Sequence, residues 1–374
     1  MSHPREKGLR ESRMALLMHG LLLDISGKMG IGILRYAPER VACVVDREHA
    51  GHTADEFVEG VSPCPIVATI EEAVGLGAEV LVVGIAPPGG RLPEDFRLEV
   101  FRALELGMSF LNPLHERCEN DPEYQRRVKP GRWIWDIRVE PPHLGIATGA
   151  ARLLRVPRVL TVGTDMAVGK LTVTLEFARA LRERGLRAGV VATGQTGLCI
   201  VGRGIPLDAV RVDFAAGAVE RETLSSAEGA DVVVIEGQGA LCHPAASANL
   251  ALLRGAMPTH LILVHRLGQK EIRTQPWAKI PPLRELIRLY EDLGECCGCF
   301  PRPRTLGVAL NTAHVPEDVA RAGVRSLEKE LQLPVTDVLR YGCEPLVEPL
   351  LRDLAHFPKD SPEDGPHDYR EDSS

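Results

Sequence analysis

The stretch Thr161-Val162-Gly163-Thr164-Asp165-Met166-Ala167-Val168-Gly169-Lys170-Leu171-Thr172 constrains the fold more than any other part of the chain. Before it, Arg158 to Val162 is a short apolar, β-branched run. After it, Leu171, Leu175, Ala178 and Leu181 recur at helical spacing. The pattern predicts a strand end, a glycine-bounded loop and the start of a helix. Such a turn presents free backbone N–H groups and the positive end of a helix dipole to an anion. Lys170 adds a compact ammonium at the same place. This is phosphate-cradling chemistry of the P-loop kind, and its candidate binding residues are Gly163, Thr164, Asp165, Val168, Gly169, Lys170, Leu171 and Thr172.

The spacing departs from the common P-loop in two ways. Five residues separate Gly163 from Gly169 where four are usual, and Leu171 stands where a Ser or Thr would bind Mg²⁺, with Thr172 one place later. The longer loop resembles the Gly-Thr-Asp-x-x-Val-Gly-Lys loop of dethiobiotin synthetase and its relatives. Lysine is scarce in this chain and arginine abundant, so Lys170 is not a casual basic residue.

Downstream, a strand is expected over 188–192, then a loop Thr193-Gly194-Gln195-Thr196-Gly197, a second loop ending near Asp213, and a helix from about Ala215. Val232 to Ile235 then delivers Glu236 into Gly237-Gln238-Gly239. Four apolar residues ending in a carboxylate form the second half of a P-loop site, where an acid holds Mg²⁺ or orients the nucleophile. Leu261 to Val264 runs into His265-Arg266. A helix over 283–289, a strand over 306–310 and a helix over 317–331 complete the pattern.

The first half also alternates strand and helix. Strands are expected over 15–23, 41–45, 80–85, 109–111 and 133–137, with helices to about Tyr36 and over 94–106. The unbroken run Val80 to Ile85 reads as a buried parallel strand. The fold class is therefore α/β: an N-terminal Rossmann-like parallel-sheet domain followed by a P-loop NTPase-like α/β domain. The expected boundaries are a disordered leader over 1–13, the Rossmann-like domain over 14–150, the P-loop domain over 151–355 and a disordered acidic tail over 356–374. Pro141, Pro142 and the glycines from Gly145 to Gly149 mark the linker. The cluster Gly27-Lys28-Met29-Gly30-Ile31-Gly32 with Asp46 invites a dinucleotide reading, but its glycines are in the wrong order, so no NAD is expected. Ala86-Pro87-Pro88-Gly89-Gly90 sits at a strand's carboxyl end, the usual place for a site in open α/β sheets. His115, in a second such loop, reads as a surface histidine.

At 374 residues the chain can bury two cores, and 44% hydrophobic with 25% charged residues is ordinary for a globular protein. A net charge of −7 argues against nucleic-acid binding. No run is long enough to span a membrane. Residues 5–23 look superficially like a signal sequence, but His19, Gly20 and Asp24 interrupt it and no small-x-small cleavage site follows. Nine scattered cysteines suit a reducing compartment, so a cytoplasmic location is expected. Cys296, Cys297 and Cys299 have no companion pair at zinc spacing, and no metal is expected there. The expected partners are a small-molecule substrate and further copies of the chain in a homo-oligomer, with no nucleic acid and no membrane.

Four segments carry a wider resemblance: Gly163-Thr164-Asp165…Val168-Gly169-Lys170-x-Thr172, Ala192-Thr193-Gly194-Gln195-Thr196-Gly197, Asp213-Phe214-x-x-Gly217-Ala218-x-Glu220, and Glu236-Gly237-Gln238-Gly239-x-Leu241-x-His243-Pro244. Their order resembles a bacterial P-loop family that includes the D-glutamate N-acetyltransferase (N-acetyl-D-glutamate synthetase) of D-glutamate catabolism. Asp46-x-Glu48-His49-Ala50-Gly51 and Gly84 to Gly90 extend the resemblance to the first domain. One departure is Arg266, where the family's pattern has an acidic residue. The resemblance implies an acyltransferase that moves acetyl from acetyl-CoA to the amine of a small carboxylate-bearing acceptor, with D-glutamate the first candidate. The attacking amine needs a base, for which Glu236, then His243, then Asp213 are the candidates. Gln195 or the backbone of Gly237–Gly239 would polarise the carbonyl, and Arg266 and Arg273 would grip carboxylates. Two alternatives stay open. One is an ATP- and Mg-dependent ligase or kinase of the dethiobiotin-synthetase type using Lys170, Thr172 and Glu236. The other is a nucleotide-binding regulatory module.

Overall fold

The computed structural model describes residues 4–355. They form two compact units: the chain up to Leu144 together with Val191–Val212, and Gly145–Val190 together with the chain from Asp213 onward. The expected tail over 356–374 lies outside the described residues, as do residues 1–3 of the leader.

The first unit contains α1 (Pro4–Glu11), β1 (Met14–Leu17), α2 (Lys28–Tyr36), β2 (Val41–Val45), β3 (Ile66–Val67), α3 (Ile70–Gly75), β4 (Val80–Val83), α4 (Glu94–Glu105), β5 (Ser109–Asn112), α5 (Pro122–Gln125) and β6 (Ile134–Asp136). The strands form one parallel sheet in the order β3-β2-β1-β4-β5-β6. The chain builds outward from β1 in one direction, then returns to β4 and builds in the other. The switch between β1 and β4 leaves a crevice at their carboxyl ends. β1, β2 and β4 are buried along their whole length, as unbroken apolar runs in a covered parallel sheet must be.

Three expectations change here. The first strand stops at Leu17, because Leu21 N–H donates back to Met18 and closes a turn. Residues 4–11 are helical where a disordered leader was expected, with Leu9 fully buried and Trp133 lying against Gly8. The third is α3, which the sequence reading passed over. It starts from a reciprocal cap, with Glu72 N–H donating to Thr69 Oγ1 and Thr69 N–H donating to the Glu72 carboxylate.

The rest of the chain supplies β7 (Arg158–Gly163), α6 (Lys170–Glu183), β8 (Ala188–Val191), α7 (Gln195–Val201), α8 (Val212–Ala227), β9 (Val232–Ile235), α9 (Ala248–Ala256), β10 (His260–Arg266), β11 (Glu271–Ile272), β12 (Gln275–Lys279), α10 (Leu283–Glu295), β13 (Arg304–Asn311), α11 (Glu317–Leu331), β14 (Val335–Thr336) and α12 (Glu344–Leu354). The sheet of the second unit has the order β14-β13-β10-β7-β9-β8, and β11 and β12 form a separate antiparallel hairpin. β7 lies between β10 and β9 and parallel to both. The loop after Gly163 is therefore flanked by the strand that ends before Glu236 and by the one that carries His265 and Arg266.

The segment 191–212 belongs to the first unit, although it was read as part of a continuous domain over 151–355. The Gln195-Thr196-Gly197 stretch, read as loop, opens α7 instead. α7 buries Leu198, Cys199 and Ile200, packs on α2, and has its last carbonyls taken up by Arg40, which donates to Cys199 O at 3.1 Å and Ile200 O at 2.8 Å. An apolar helix that needs a surface to cover decides the matter over sequence adjacency. Among the described residues no helix is long and apolar enough to cross a membrane.

Candidate active site

The phosphate loop runs from the end of β7 to the start of α6 as the sequence predicts. Its lysine is folded inward: Lys170 is 7% exposed and its Nζ donates to Asp165 O at 2.9 Å. Burial pulls the Lys170 pKa down from 10.5 to about 8, against the opposing pull of Glu236, Asp165 and Cys242. Glu236 itself is buried at the end of β9, and Gln238 Nε2 donates to its Oε1 at 3.3 Å. Just past β9, the Glu236 loop runs close against β7. Gly237 N–H donates to Thr161 Oγ1 at 3.0 Å, and a Cβ on Gly237 would stand 1.8 Å from Thr161 O. Only glycine lets the Glu236 loop approach the phosphate loop this way.

Asp165 was expected to bind the cofactor. Its carboxylate ties the loop to the segment around β11, accepting from Met166 N–H at 2.6 Å, Gln269 Nε2 at 2.6 Å and Arg273 N–H at 2.9 Å. His243 Nε2 stands 3.8 Å from Asp165 Oδ1, the oxygen that accepts from Met166, and 3.2 Å from Thr274 Oγ1. Ala245 N–H donates to His243 Nδ1 at 3.1 Å, so the ring proton of the neutral imidazole sits on Nε2, facing Asp165. His243 thus belongs to the scaffold around the loop. Thr164 Oγ1 pairs with His265 Nδ1 at 3.0 Å, and burial holds the His265 pKa down at about 4. Tyr290, fully buried, donates to Gly163 O at 2.9 Å and accepts from Leu241 N–H at 3.0 Å. Asn311 Nδ2 donates to Val168 O at 3.0 Å. Tyr290, Asn311, Gln269 and Thr274 were all missed by the sequence reading. Tyr290, Asn311 and Gln269 lie over a hundred positions from their partners on the loop, Thr274 meets His243 from the turn after β11, and no local pattern marks them.

This unit has one recess lined in part by the loop and another lined by Gln269 and Arg273, the residues that bond Asp165. A cavity of about 490 Å³ is lined by Arg266, Arg273, Lys270 and His314, which brings together both arginines that the sequence nominated for carboxylates. A slot of about 130 Å³ is lined by Val168, Gly169 and Thr172 of the loop and helix start together with Val264, Leu310 and Val338. Asp213 is exposed in the first turn of α8, with no hydrogen bond or ion pair to the phosphate loop among the described residues, so it stands apart from the other proposed bases. Gln195 begins α7 and lines a cavity of the first unit. Cys296, Cys297 and Cys299 are free thiols just after α10. Among the described residues no group of three or more His, Cys, Asp or Glu side chains is placed to hold a metal ion. In the first unit, Asp46 is fully buried and accepts from Gly20 N–H at 2.9 Å, Glu48 N–H at 3.2 Å and the His49 ring at 2.7 Å, so its oxygens are taken up by its own loop and the loop after β1.

Comparison with known proteins agrees with this architecture. Residues 145–347 match the P-loop domain DUF1611, a domain of unknown function, and residues 47–140 match its Rossmann-like companion DUF1611_N. A D-glutamate N-acetyltransferase of Tritonibacter scottomollicae is 35% identical over 288 residues, covering 75% of this chain and 84% of that protein. One of a Pseudoalteromonas species is 33% identical over 291 residues, covering 77% and 85%. A crystal structure of a DUF1611 family protein from Anabaena variabilis is 44% identical and superimposes with a TM-score of 0.86, covering 91% of this chain and all of that one. The chain thus belongs to the DUF1611 family, with a Rossmann-like domain followed by a P-loop domain.

Proposed function

We propose that the protein is an N-acetyltransferase that moves the acetyl group of acetyl-CoA to the amine of a small carboxylate-bearing acceptor, with D-glutamate the first candidate. The observation that carries the reading is Glu236, a buried carboxylate next to the phosphate-loop lysine at the end of β9. Two relatives bearing the name of this reaction support it. The loop N–H groups and Lys170 suit the phosphates of CoA, and the apolar slot beside Thr172 suits its flat adenine ring. Arg266 and Arg273, together on one cavity, suit the acceptor's carboxylates.

Glu236 takes a proton from the acceptor's ammonium, and the free amine attacks the thioester carbon. The backbone N–H groups after Glu236 stabilise the tetrahedral oxyanion. Collapse breaks the C–S bond, the departing thiolate takes the second proton that the attacking nitrogen must lose, and Glu236 passes its own proton to solvent. One feature favours a second reading, an ATP- and Mg-dependent enzyme: Thr172 and Glu236 both lie close to Lys170 and supply metal-binding oxygens. Release of free CoA separates the two. CoA release with D-glutamate in the absence of ATP is the expected result. No release with any D- or L-amino acid, alongside ADP formation in the presence of Mg²⁺, hands the case to the ATP-dependent reading.

A further inference from the structure

The first unit contains a cavity of about 360 Å³ that the reaction above does not use. It lies in the crevice that the sheet order creates, beyond the carboxyl ends of β4 and β5, where the chain reverses direction between β1 and β4. Open α/β sheets bind their ligands at such switch points. The size is within the range of small-molecule sites.

The walls are chemically one-sided. Met29, Ile85 and Leu114 supply apolar surface, while His115, Arg138 and Gln195 supply the polar groups, and no carboxylate lines the cavity. Arg138 is held in place from three directions. Its Nε donates to Pro113 O at 2.9 Å, and its Nη1 donates to His115 Nε2 at 2.9 Å and pairs with Asp208, which lies outside the lining. Its Nη2 edge makes no hydrogen bond to the described residues. The bond into His115 Nε2 leaves that ring's proton on Nδ1, as a further donor. The glycine loop is equally set. Gly90 has φ +64°, and a Cβ there would stand 2.4 Å from His115 Cδ2, while His115 N–H donates to Gly90 O at 3.0 Å. The residues that face the cavity are thus positioned by contacts with one another and, for Arg138, with Asp208. A preorganised pocket with a half-free guanidinium, an imidazole N–H, a carboxamide and an apolar floor is complementary to a compact aliphatic carboxylate.

We infer that this cavity is a ligand site specific for small aliphatic carboxylates, built wholly from residues of the Rossmann-like unit. The carboxylate has two possible sources, the acceptor of the proposed reaction or a separate effector, and the chemistry of recognition is the same for both.

Hydrogen–deuterium exchange on the whole protein tests it, with glutarate, D-glutamate and inorganic phosphate each added at millimolar concentration. Glutarate is expected to protect peptides spanning 85–91 and 113–116. Protection by D-glutamate as well identifies the acceptor as a source, and protection by glutarate alone identifies an effector. The half-saturating concentration should rise by about tenfold or more in Arg138→Gln, and stay unchanged in Arg273→Gln, which alters only the cavity of the second unit. Gln195→Leu leaves the Arg138–Asp208 pair intact and should raise it several-fold even if Arg138→Gln proves unstable. Protection by phosphate but by neither carboxylate, no protection by any of the three, or equal protection in Arg138→Gln and Gln195→Leu overturns the inference.

Discussion

Replacing Lys170 by Met should make the free protein more stable while removing its affinity for CoA. The side chain is 7% exposed and its ammonium is held at a pKa of about 8, compared with 10.5 for the same group in water. At about 1.4 kcal/mol per pH unit, carrying that charge into the fold costs about 3 kcal/mol at neutral pH. The attraction of Glu236 and Asp165 is already contained in the value, because both act to raise it. Met keeps the length and apolar stem without the charge, but loses the hydrogen bond to Asp165 O, worth about 1 kcal/mol. The net gain is about 2 kcal/mol, or a Tm rise of about 4–8 °C for a unit of this size. The gain should also depend on pH. The lysine's folded pKa lies below its unfolded one, so between about pH 8 and 10.5 the unfolded chain holds one more proton and the wild type gains stability as pH rises. The advantage of Lys170→Met is therefore full below pH 8 and fades towards 10.5. Buried Cys43, Cys64, Cys118, Cys199 and Cys343, all with raised pKa values, act in the opposite direction above about pH 9, but equally in both proteins. Urea unfolding of both proteins from pH 6 to 10, with CoA titrations alongside, gives the comparison. A variant less stable than the wild type at pH 7, or one with undiminished CoA affinity, would refute the argument that Lys170 is strained by burial in order to meet an anion.

Glu236→Gln should lower kcat by about 10²–10⁴ while leaving acetyl-CoA affinity nearly intact, as measured by steady-state kinetics and calorimetry. Gly237→Ala should destabilise the second unit by about 3 kcal/mol in urea unfolding, because its Cβ meets Thr161 O at 1.8 Å and β7 and β9 have to part. His265, neutral and buried with a pKa of about 4, should make the protein acid-sensitive. Its folded pKa lies below the usual 6.5, so the unfolded state binds the extra proton and up to about 3 kcal/mol is lost between pH 6.5 and 4; His265→Gln should flatten that part of the stability profile.

The phosphate loop was legible in the sequence because everything that makes it is local. A β-branched run, two glycines, a lysine and a helical repeat follow one another along the chain, and the strand-turn-helix that presents N–H groups to an anion is written in those residues. The same holds for Glu236 at its strand end, and for the parallel-sheet class of both domains, which unbroken apolar runs such as Val41–Val45 and Val80–Val83 announce. Tertiary structure decided the rest. Asp165 reads as a binding residue in the motif, but its carboxylate is turned to Gln269 and Arg273, over a hundred positions away. α7 lies between two segments of the second unit in sequence and belongs to the first in space, because its buried face is matched by α2 and not by its neighbours in the chain. Arg266 and Arg273 share a cavity only because β10 ends where the β11–β12 hairpin turns back. Local sequence specifies which dihedral angles and dipoles a segment can offer; which side chains meet across the fold depends on how sheets order their strands and helices find cover, and that free energy is spread over contacts distant in the chain.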